Sequence, residues 1–172
     1  MRWIFLAAAL ALTGCVPNVP SYRYLTAPMA TVDMAPARLA GAWYQIAAYP
    51  APFQDGCTHV TATYSPLADG TIGVANRCRR DGVVTGIDGV AVPVGPGQLK
   101  VRLQGVPIAG DYWVLGTLRG GRIVIVGTPS RVAGWVLSRD RHVRDPRVYD
   151  AARDVFRRNG YDAAALERTL QR

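Results

Sequence analysis

The sequence predicts an all-β fold, an eight-stranded antiparallel up-and-down barrel with a C-terminal α-helix packed on its outside. After Pro36, short apolar stretches rich in Val, Ile, Tyr and Trp recur about every ten residues, separated by Gly, Pro and Asp-Gly. Asp69-Gly70 and Gly120-Gly121 are typical hairpin turns. The period changes to that of a helix after Asp145. Closing successive strands into a barrel removes the exposed edges of an open sheet.

The eight predicted strands follow one another with short connections. Each contains the β-branched and aromatic residues that strands favour. They span residues 41–49, 57–65, 70–79, 83–92, 97–104, 111–118, 122–127 and 132–139.

A helix is predicted after the eighth strand. Asp145 and Pro146 provide an N-cap and a first-turn proline, and Gly160 lies just beyond the far end. Four apolar residues form one stripe that can pack on the barrel wall: Val148, Ala152, Val155 and Phe156. Four arginines mostly face away from it: Arg147, Arg153, Arg157 and Arg158. A second short helix is expected after Asp162, with Leu166 and Leu170 on one side.

The N-terminus has the parts of a secretory leader. Arg2 precedes an apolar run from Trp3 to Leu12, which at about ten residues is too short to span a bilayer as a helix. Leu12-Thr13-Gly14-Cys15 resembles the lipobox of bacterial lipoproteins. That resemblance implies cleavage before Cys15 and lipidation of its sulfur, an anchor that needs no transmembrane helix. An ordinary leader with an incidental cysteine is the alternative.

The chain then divides into three parts. Residues 1–14 are the expected lipoprotein signal peptide, residues 15–36 the lipidated cysteine with a Pro-rich polar tether, and residues 37–172 one domain. Val16, directly after the lipobox, is not the aspartate associated with retention in the inner membrane. The expected location is therefore the bacterial outer membrane, with the protein facing the periplasm.

Cys57 and Cys78 remain as an even pair once Cys15 carries lipid. In an oxidising compartment a disulfide is the expected state of such a pair. A metal site would need more ligands than two cysteines and the scattered His59 and His142 provide at any familiar spacing.

The charge balance is basic, with 20 Lys plus Arg against 12 Asp plus Glu. Solvated arginines on helices are the simplest explanation, although a basic outer face could also approach anionic head groups. Nucleic acid is not an expected partner of an exported protein.

Four ordered motifs resemble the lipocalin family. The first strand carries Gly41-x-Trp43-Tyr44, and the second carries Val60-x-Ala62-x-Tyr64-Ser65. Gly110-Asp111-Tyr112-Trp113-Val114 matches the sixth strand and Trp135-Val136-Leu137-Ser138-Arg139 the eighth. Gly160-Tyr161-Asp162 with Leu166 is similar to the C-terminal end of bacterial lipocalins, so the resemblance covers residues from about 36 to 170.

The resemblance implies structural roles for Gly41, Trp43 and Arg139. Gly41 lets the chain approach closely where it enters the barrel, and Trp43 plugs the closed end. In lipocalins the arginine that matches Arg139 lies over this tryptophan in a cation–π contact. These residues are expected to hold the fold rather than a ligand.

An eight-stranded barrel can hold one small ligand, and alternation along each strand predicts its lining. If Trp43 points inward, the next inward residues follow in steps of two. The predicted ligand-binding residues are Gln45, Ala47, Tyr49, Val60, Ala62, Tyr64, Leu99, Val101, Leu103, Tyr112 and Val114. Plain barrel packing is the alternative role for each of them.

The register of the third strand stays open. A four-residue connection from Pro66 to Asp69 would place Cys57 opposite Cys78, but it would turn Ile72 and Val74 outward. A β-bulge in this hairpin would reconcile the two.

Three function classes follow. The first is a lipid-binding lipocalin that holds a fatty acid or lysophospholipid reversibly, without a cofactor, for lipid storage, transport or membrane maintenance. The second is a structural or interaction lipoprotein whose barrel is filled by its own side chains. The third, a lipocalin-fold enzyme, is disfavoured because the chain has no G-x-S-x-G or H-E-x-x-H motif and no phosphate loop, and its single glutamate is Glu167 in the last predicted helix.

Overall fold

The computed structural model describes residues 21–24 and 28–171, so the predicted leader and Cys15 lie outside the described residues. Its sheet is antiparallel, and each of the first seven strands pairs with the next. The eighth strand pairs with the first, which closes the predicted barrel. The strands are β1 (Gly41–Ala48), β2 (Thr58–Pro66), β3 (Ile72–Arg80), β4 (Val83–Gly95), β5 (Gln98–Leu103), β6 (Gly110–Leu118), β7 (Ile123–Gly127), β8 (Gly134–Ser138) and β9 (Glu167–Arg168).

The predicted helix is present as α1 (Pro146–Arg158). The Asp145 side chain accepts a hydrogen bond from the Arg147 backbone N–H, as an N-cap does, and Pro146 occupies the first turn. The predicted apolar stripe is buried against the barrel. Among residues 21–24 and 28–171, no helix is long and apolar enough to cross a bilayer.

The barrel wall separates two apolar cores. One core fills the barrel interior around Trp43, Tyr64 and Val114, and the other lies between the wall and α1 around Tyr49 and Phe156. Strand β7 contributes to both, because alternate residues of its Ile-Val-Ile-Val run face the helix and the interior.

The alternating strand directions give the barrel two different ends. One end, here called the mouth, holds the β1–β2 (49–57), β3–β4 (81–82), β5–β6 (104–109) and β7–β8 (128–133) connections. The other end, here called the base, holds the connections at 67–71, 96–97 and 119–122.

Trp43 and Arg139 close the base as the sequence predicted. Trp43 is completely buried, and the Arg139 guanidinium carbon lies 3.7 Å from the centre of its ring. The three shortest hydrogen bonds of the guanidinium go to backbone carbonyls of the entering chain, those of Arg38, Ala40 and Ala42, at 3.1, 2.6 and 2.8 Å. The last barrel strand is thereby fastened to the segment that leads into the first.

Position 41, beside this contact, requires a glycine. Its φ is +92°, and a Cβ at this position would lie 3.1 Å from Arg139 Nη1. A side chain would therefore be strained in backbone conformation and would also displace the guanidinium.

A β-bulge sets the register of the third strand, which the sequence had left open. The pairing of β2 with β3 shifts between Thr58 and Thr61, where His59 adopts a φ of +52°. Ile72 and Val74 consequently face the interior and are buried, while Cys57 still reaches Cys78 and forms the disulfide.

A second bulge shows that the inward orientation predicted for Ala47 and Tyr49 is wrong. The pairing of β1 with β8 shifts between Gln45 and Ala47, so the alternation reverses after Ile46. Ala47 and Tyr49 belong to the core beneath α1, where the Tyr49 ring centroid lies 5.0 Å from that of Phe156. A single bulged residue moves all later side chains of a strand to the opposite face.

The second predicted helix is also wrong. Asp162 caps only a 3-10 turn at Ala163–Ala165, and the chain then forms β9, which pairs with β1. Leu166 is buried, but Leu170 is 51% exposed, so the two leucines do not share a packed face. Beyond Tyr44, β2 no longer pairs with β1, so backbone N–H and C=O groups of β1 need other partners. A strand after Asp162 can supply these partners, whereas a helix cannot.

We expect Arg139→Ala to lower the free energy of unfolding by about 3 kcal/mol, because three charge-assisted hydrogen bonds and the ring contact disappear. Arg139→Lys should recover only part of the loss, since an ammonium lacks the planar fork. Urea unfolding measures both. Arg141→Ala is the matched control, because Arg141 is exposed and lies 5.8 Å from the Tyr44 ring. Equal losses for the two alanine variants would contradict this role of Arg139.

Reduction of the Cys57–Cys78 bond should destabilise the domain without unfolding the barrel. The two cysteines are 21 positions apart in sequence. By loss of chain entropy in the unfolded state, closing a loop of this size raises the free energy of unfolding by about 3 kcal/mol. For a domain of this size that corresponds to a melting temperature lower by about 6–12 °C. Calorimetry with and without reductant tests this, with the Cys57→Ser/Cys78→Ser variant as the control that should not respond. An unchanged melting temperature would refute the prediction.

Candidate ligand-binding site

The base half of the barrel interior is filled by the protein itself. Five of the predicted lining residues lie in the interior core and are at most 7% exposed: Ala62, Tyr64, Leu99, Tyr112 and Val114. Trp43 and Ala62 are direct neighbours across β1 and β2. A ligand that enters from the mouth therefore meets a packed floor formed by these side chains.

Two tyrosines place polar groups in this floor. The Tyr64 hydroxyl donates to the Tyr112 hydroxyl at 3.2 Å, and the two ring centroids lie 6.1 Å apart. Burial raises the pKa of Tyr64 to about 12, although its hydrogen bond with Tyr112 acts in the opposite direction. Burial also raises the pKa of Tyr112. Both hydroxyls are therefore neutral at physiological pH.

Above this floor the inner face is less completely covered. Val101 packs against the interior core from β5 and is only partly buried, and Leu103 follows on the same face nearer the mouth. Ile87 and Asn76 pair with one another across β4 and β3 and are likewise partly exposed. The predicted inward orientation of Val101 and Leu103 is consistent with exposed Lys100 and Arg102 between and beside them. The side chains of this upper part are therefore more exposed than those of the floor.

A chain of neutral polar side chains runs along the opposite wall. Trp135 Nε1 donates to Gln54 Oε1 at 3.2 Å, and Gln54 Nε2 donates to Gln45 Oε1 at 3.1 Å. Gln45 Nε2 in turn donates to Thr169 Oγ1 at 2.9 Å. Gln45 was a predicted lining residue, whereas the parts played by Gln54 and Trp135 were missed. Gln54 sits in a connection with no periodicity, so no sequence pattern could have found it.

Val60 is buried at the edge of this polar chain. It follows the β2 bulge, and its carbonyl accepts a hydrogen bond from Gln171 Nε2 at 2.7 Å. The same nitrogen donates to the carbonyl of Gln45 at 2.9 Å. The C-terminal segment therefore joins β1 and β2 where the two strands separate toward the mouth.

The β1–β2 connection forms a cover over the mouth that is fixed at several points. The disulfide joins its last residue, Cys57, to β3. Arg80 donates through Nη2 to the carbonyl of Phe53 at 3.2 Å and lies 3.6 Å from the Cys57 sulfur. Gln54 holds the same connection from inside. Access to the upper interior therefore depends on the position of this connection.

A recess of about 540 Å³ opens at the mouth where β4 extends beyond β5. This volume lies within the range of small-molecule sites. The recess combines apolar groups with one ion pair, in which Arg77 Nη1 lies 2.5 Å from Asp88 Oδ1. Its lining residues are Arg77, Val84, Thr85, Gly86, Ile87, Asp88 and Gln104.

A second recess of about 280 Å³ lies outside the barrel, between the connection to α1 and the C-terminal segment. Its lining is basic, with Arg141, His142 and Arg144. Within the part of the chain that the structure describes, no cluster of three or more potential metal ligands occurs.

The comparisons with known proteins agree with this architecture. Residues 32–171 match the family described as Lipocalin-like domain. The chain is 34% identical over 132 residues to the outer membrane lipoprotein Blc of Escherichia coli, with 74% of this chain and 73% of that protein covered. It is 30% identical over 183 residues to apolipoprotein D of Macaca fascicularis, with 99% and 95% covered. Temperature-induced lipocalin-1 of Arabidopsis thaliana is 34% identical over 145 residues, with 78% and 77% covered.

Solved structures share the same fold. A lobster apocrustacyanin superposes with a TM-score of 0.67 at 18% identity and covers 90% of this chain and 94% of its own. Insecticyanin from the tobacco hornworm Manduca sexta gives a TM-score of 0.63 at 20% identity, with 87% and 86% covered. The family consists generally of ligand-binding proteins that are not enzymes, which supports the binding of a small hydrophobic ligand here. The chain belongs to the lipocalin family.

Proposed function

We propose that this lipocalin is an envelope lipoprotein that binds a fatty acid or lysophospholipid reversibly in the upper part of its barrel. The observation that carries the proposal is the uneven filling of the interior. The floor at Tyr64 and Tyr112 is packed, whereas the apolar side chains above it are partly exposed beneath the β1–β2 connection. Storage, transport or membrane maintenance are the roles that such a site can serve.

The lining suits an acyl chain inside and a polar group at the mouth. Ile87, Val101 and Leu103 offer aliphatic surface, and burial of a methylene is worth about 0.8 kcal/mol. About ten buried methylenes would contribute roughly 8 kcal/mol, the size of a micromolar dissociation constant before the costs of binding. The charged pair of Arg77 and Asp88 lies on the outer side of the wall at the mouth recess, because the neighbouring Asn76 and Ile87 face inward. A head group would remain at this rim, near water.

A filled barrel with a structural role is the second candidate. The packed floor favours it, because a chain that enters from the mouth cannot pass Tyr64 and Tyr112 as they stand. In that case the mouth would serve as a surface for another protein. The two candidates differ in whether the isolated domain binds a lipid saturably.

The proposed location is the bacterial outer membrane, with the protein anchored through lipid on Cys15 and facing the periplasm. The tetrapeptide that ends at Cys15 and the likeness to the outer membrane lipoprotein Blc support this. Lipid on Cys15 would keep the barrel close to the membrane that supplies its ligand.

Cys15→Ser should abolish incorporation of radioactive palmitate, because the sulfur is the proposed site of acylation. The protein should then leave the membrane fraction or retain its uncleaved apolar leader. Metabolic labelling followed by fractionation measures both outcomes. Cys57→Ser is the control, since it removes another cysteine and should leave labelling unchanged. Label that persists in Cys15→Ser would contradict the anchor.

Val101→Trp should reduce affinity for a fluorescent fatty acid at least tenfold, because the indole would occupy the upper interior. Val90→Trp is the matched control. Val90 lies on the neighbouring strand and is 38% exposed, so this variant should bind the fatty acid with unchanged affinity. Titrations use delipidated protein that begins at Val16, with lysophospholipid as competitor. We choose Val101 rather than Ala62 because Ala62 is packed beside Trp43.

The titrations also separate the two candidates. Without saturable binding in the unmodified domain, the carrier proposal would fail. If Val101→Trp alone unfolded, as judged by circular dichroism, the barrel would be shown to be full already, since overpacking a filled core is destabilising. The structural role would then be preferred.

A further inference from the structure

Large apolar side chains project into solvent from two of the four connections at the mouth and from the first residues of β4. Phe53 lies in the β1–β2 connection and is 66% exposed, and Ile108 in the β5–β6 connection is 78% exposed. Val83 and Val84 follow the β3–β4 turn and are 62% and 61% exposed, and Val106 is 41% exposed. These five residues are here called the mouth tips. Such side chains on separate loops at one end of a domain indicate a surface that is covered in use.

The apolar side chains near the base are fewer and less exposed. Within the described ranges they are Val32, Leu67, Val92 and Val94, which are 36%, 44%, 43% and 53% exposed. The β6–β7 connection there consists of Arg119, Gly120 and Gly121, followed by exposed Arg122. The most exposed of these apolar side chains therefore lie at the mouth.

The N-terminal segment independently places the anchor at the same end. Tyr22 N–H donates to the carbonyl of Arg131 in the β7–β8 connection at 2.9 Å, and Ser21 Oγ donates to that of Ser130 at 3.2 Å. Arg23 forms a β-bridge with Tyr161. Residue 21 is therefore fixed beside the mouth.

Chain length then limits how far the mouth can lie from the lipid. Ser21 lies six positions after Cys15, and an extended chain spans at most about 3.6 Å per residue, or about 22 Å. A lipid on Cys15 would therefore hold the mouth, rather than the base, close to the bilayer.

The charges at this end are complementary to an anionic lipid surface. The basic residues at the mouth are Arg23, Arg79, Arg80 and Arg158, together with buried Arg131 in the β7–β8 connection. The acidic residues there are Asp55, Asp81 and Asp88, and Asp88 is paired with Arg77. Arg158 ends α1, next to Asn159, whose carbonyl accepts a hydrogen bond from Arg131 of the β7–β8 connection. Basic groups that flank apolar side chains are the combination that binds anionic head groups and acyl chains together.

We propose that the mouth docks on the anionic phospholipid surface that carries the Cys15 anchor, with the mouth tips inserted among the lipids. This inference rests on the proposed lipid anchor and deepens the proposed function. A fatty acid or lysophospholipid would then pass between bilayer and barrel without crossing open water. The β1–β2 connection, which carries Phe53 outside and Gln54 inside, would be displaced by the lipid that it contacts.

The test uses the full lipidated chain in vesicles of phosphatidylcholine and phosphatidylglycerol, after mass spectrometry has identified lipid on Cys15. An environment-sensitive fluorophore is attached to Ile108→Cys at the mouth or, as the matched control, to Ala68→Cys in the exposed turn at the base. Quenching by a spin label on the lipid acyl chains should be at least threefold greater at position 108. Val83→Ser/Val84→Ser should reduce quenching at position 108 at least twofold.

Each other result contradicts the proposal. Equal quenching at the two positions, or greater quenching at position 68, would place the mouth away from the bilayer. Cross-linking of two Ile108→Cys chains without quenching would show that a second copy covers the tips. Fatty-acid titration of the same vesicles separates the proposals, because quenching at position 108 without saturable binding would retain the docking and remove the carrier function. Saturable binding without quenching at position 108 would retain the carrier function and remove the docking.

Discussion

The stacking of Arg139 on Trp43 is the contact on which the barrel depends. It fastens the end of β8 to the segment entering β1, beside the pairing of these two strands that closes the sheet. Because Trp43 also fills the space beneath the interior, the barrel has one closed end and one mouth. A ligand of the barrel interior must therefore enter through the mouth.

The wall is stabilised unequally around the barrel. Strand β7 is buried along its whole length, since α1 covers one face and the interior core the other. Strand β4 has no such cover, and Val90, Val92 and Val94 are exposed on it. Buried apolar contacts set local stability, so the β3–β5 side is the part of the wall that can most easily adjust. The mouth recess lies on this side, where a ligand would require such adjustment.

The mouth combines three features that would otherwise be unrelated. The β1–β2 connection is held by Gln54, Arg80 and the disulfide, the N-terminal segment is bound to the β7–β8 connection, and exposed apolar tips surround both. Neutral hydrogen-bonding groups line the inside, while the arginines lie outside. Buried charge is costly, so this arrangement suits a ligand whose polar head stays at the rim.

The sequence by itself determined the eight strands, the capped helix, the closing pair of Trp43 and Arg139, and the family. These features depend on local periodicity, on turn and cap chemistry, and on motifs that can be read residue by residue. Tertiary structure alone decided where the alternation of inward and outward side chains breaks. The bulge at Ile46 places Ala47 and Tyr49 beneath α1. The bulge before Thr61 lets Ile72 face the interior while Cys57 still forms the disulfide. It also decided that the chain after Asp162 pairs with β1 and that Gln54 reaches Trp135. Such contacts join residues that are distant in sequence, and the free energy that selects them comes from partners that no local pattern contains.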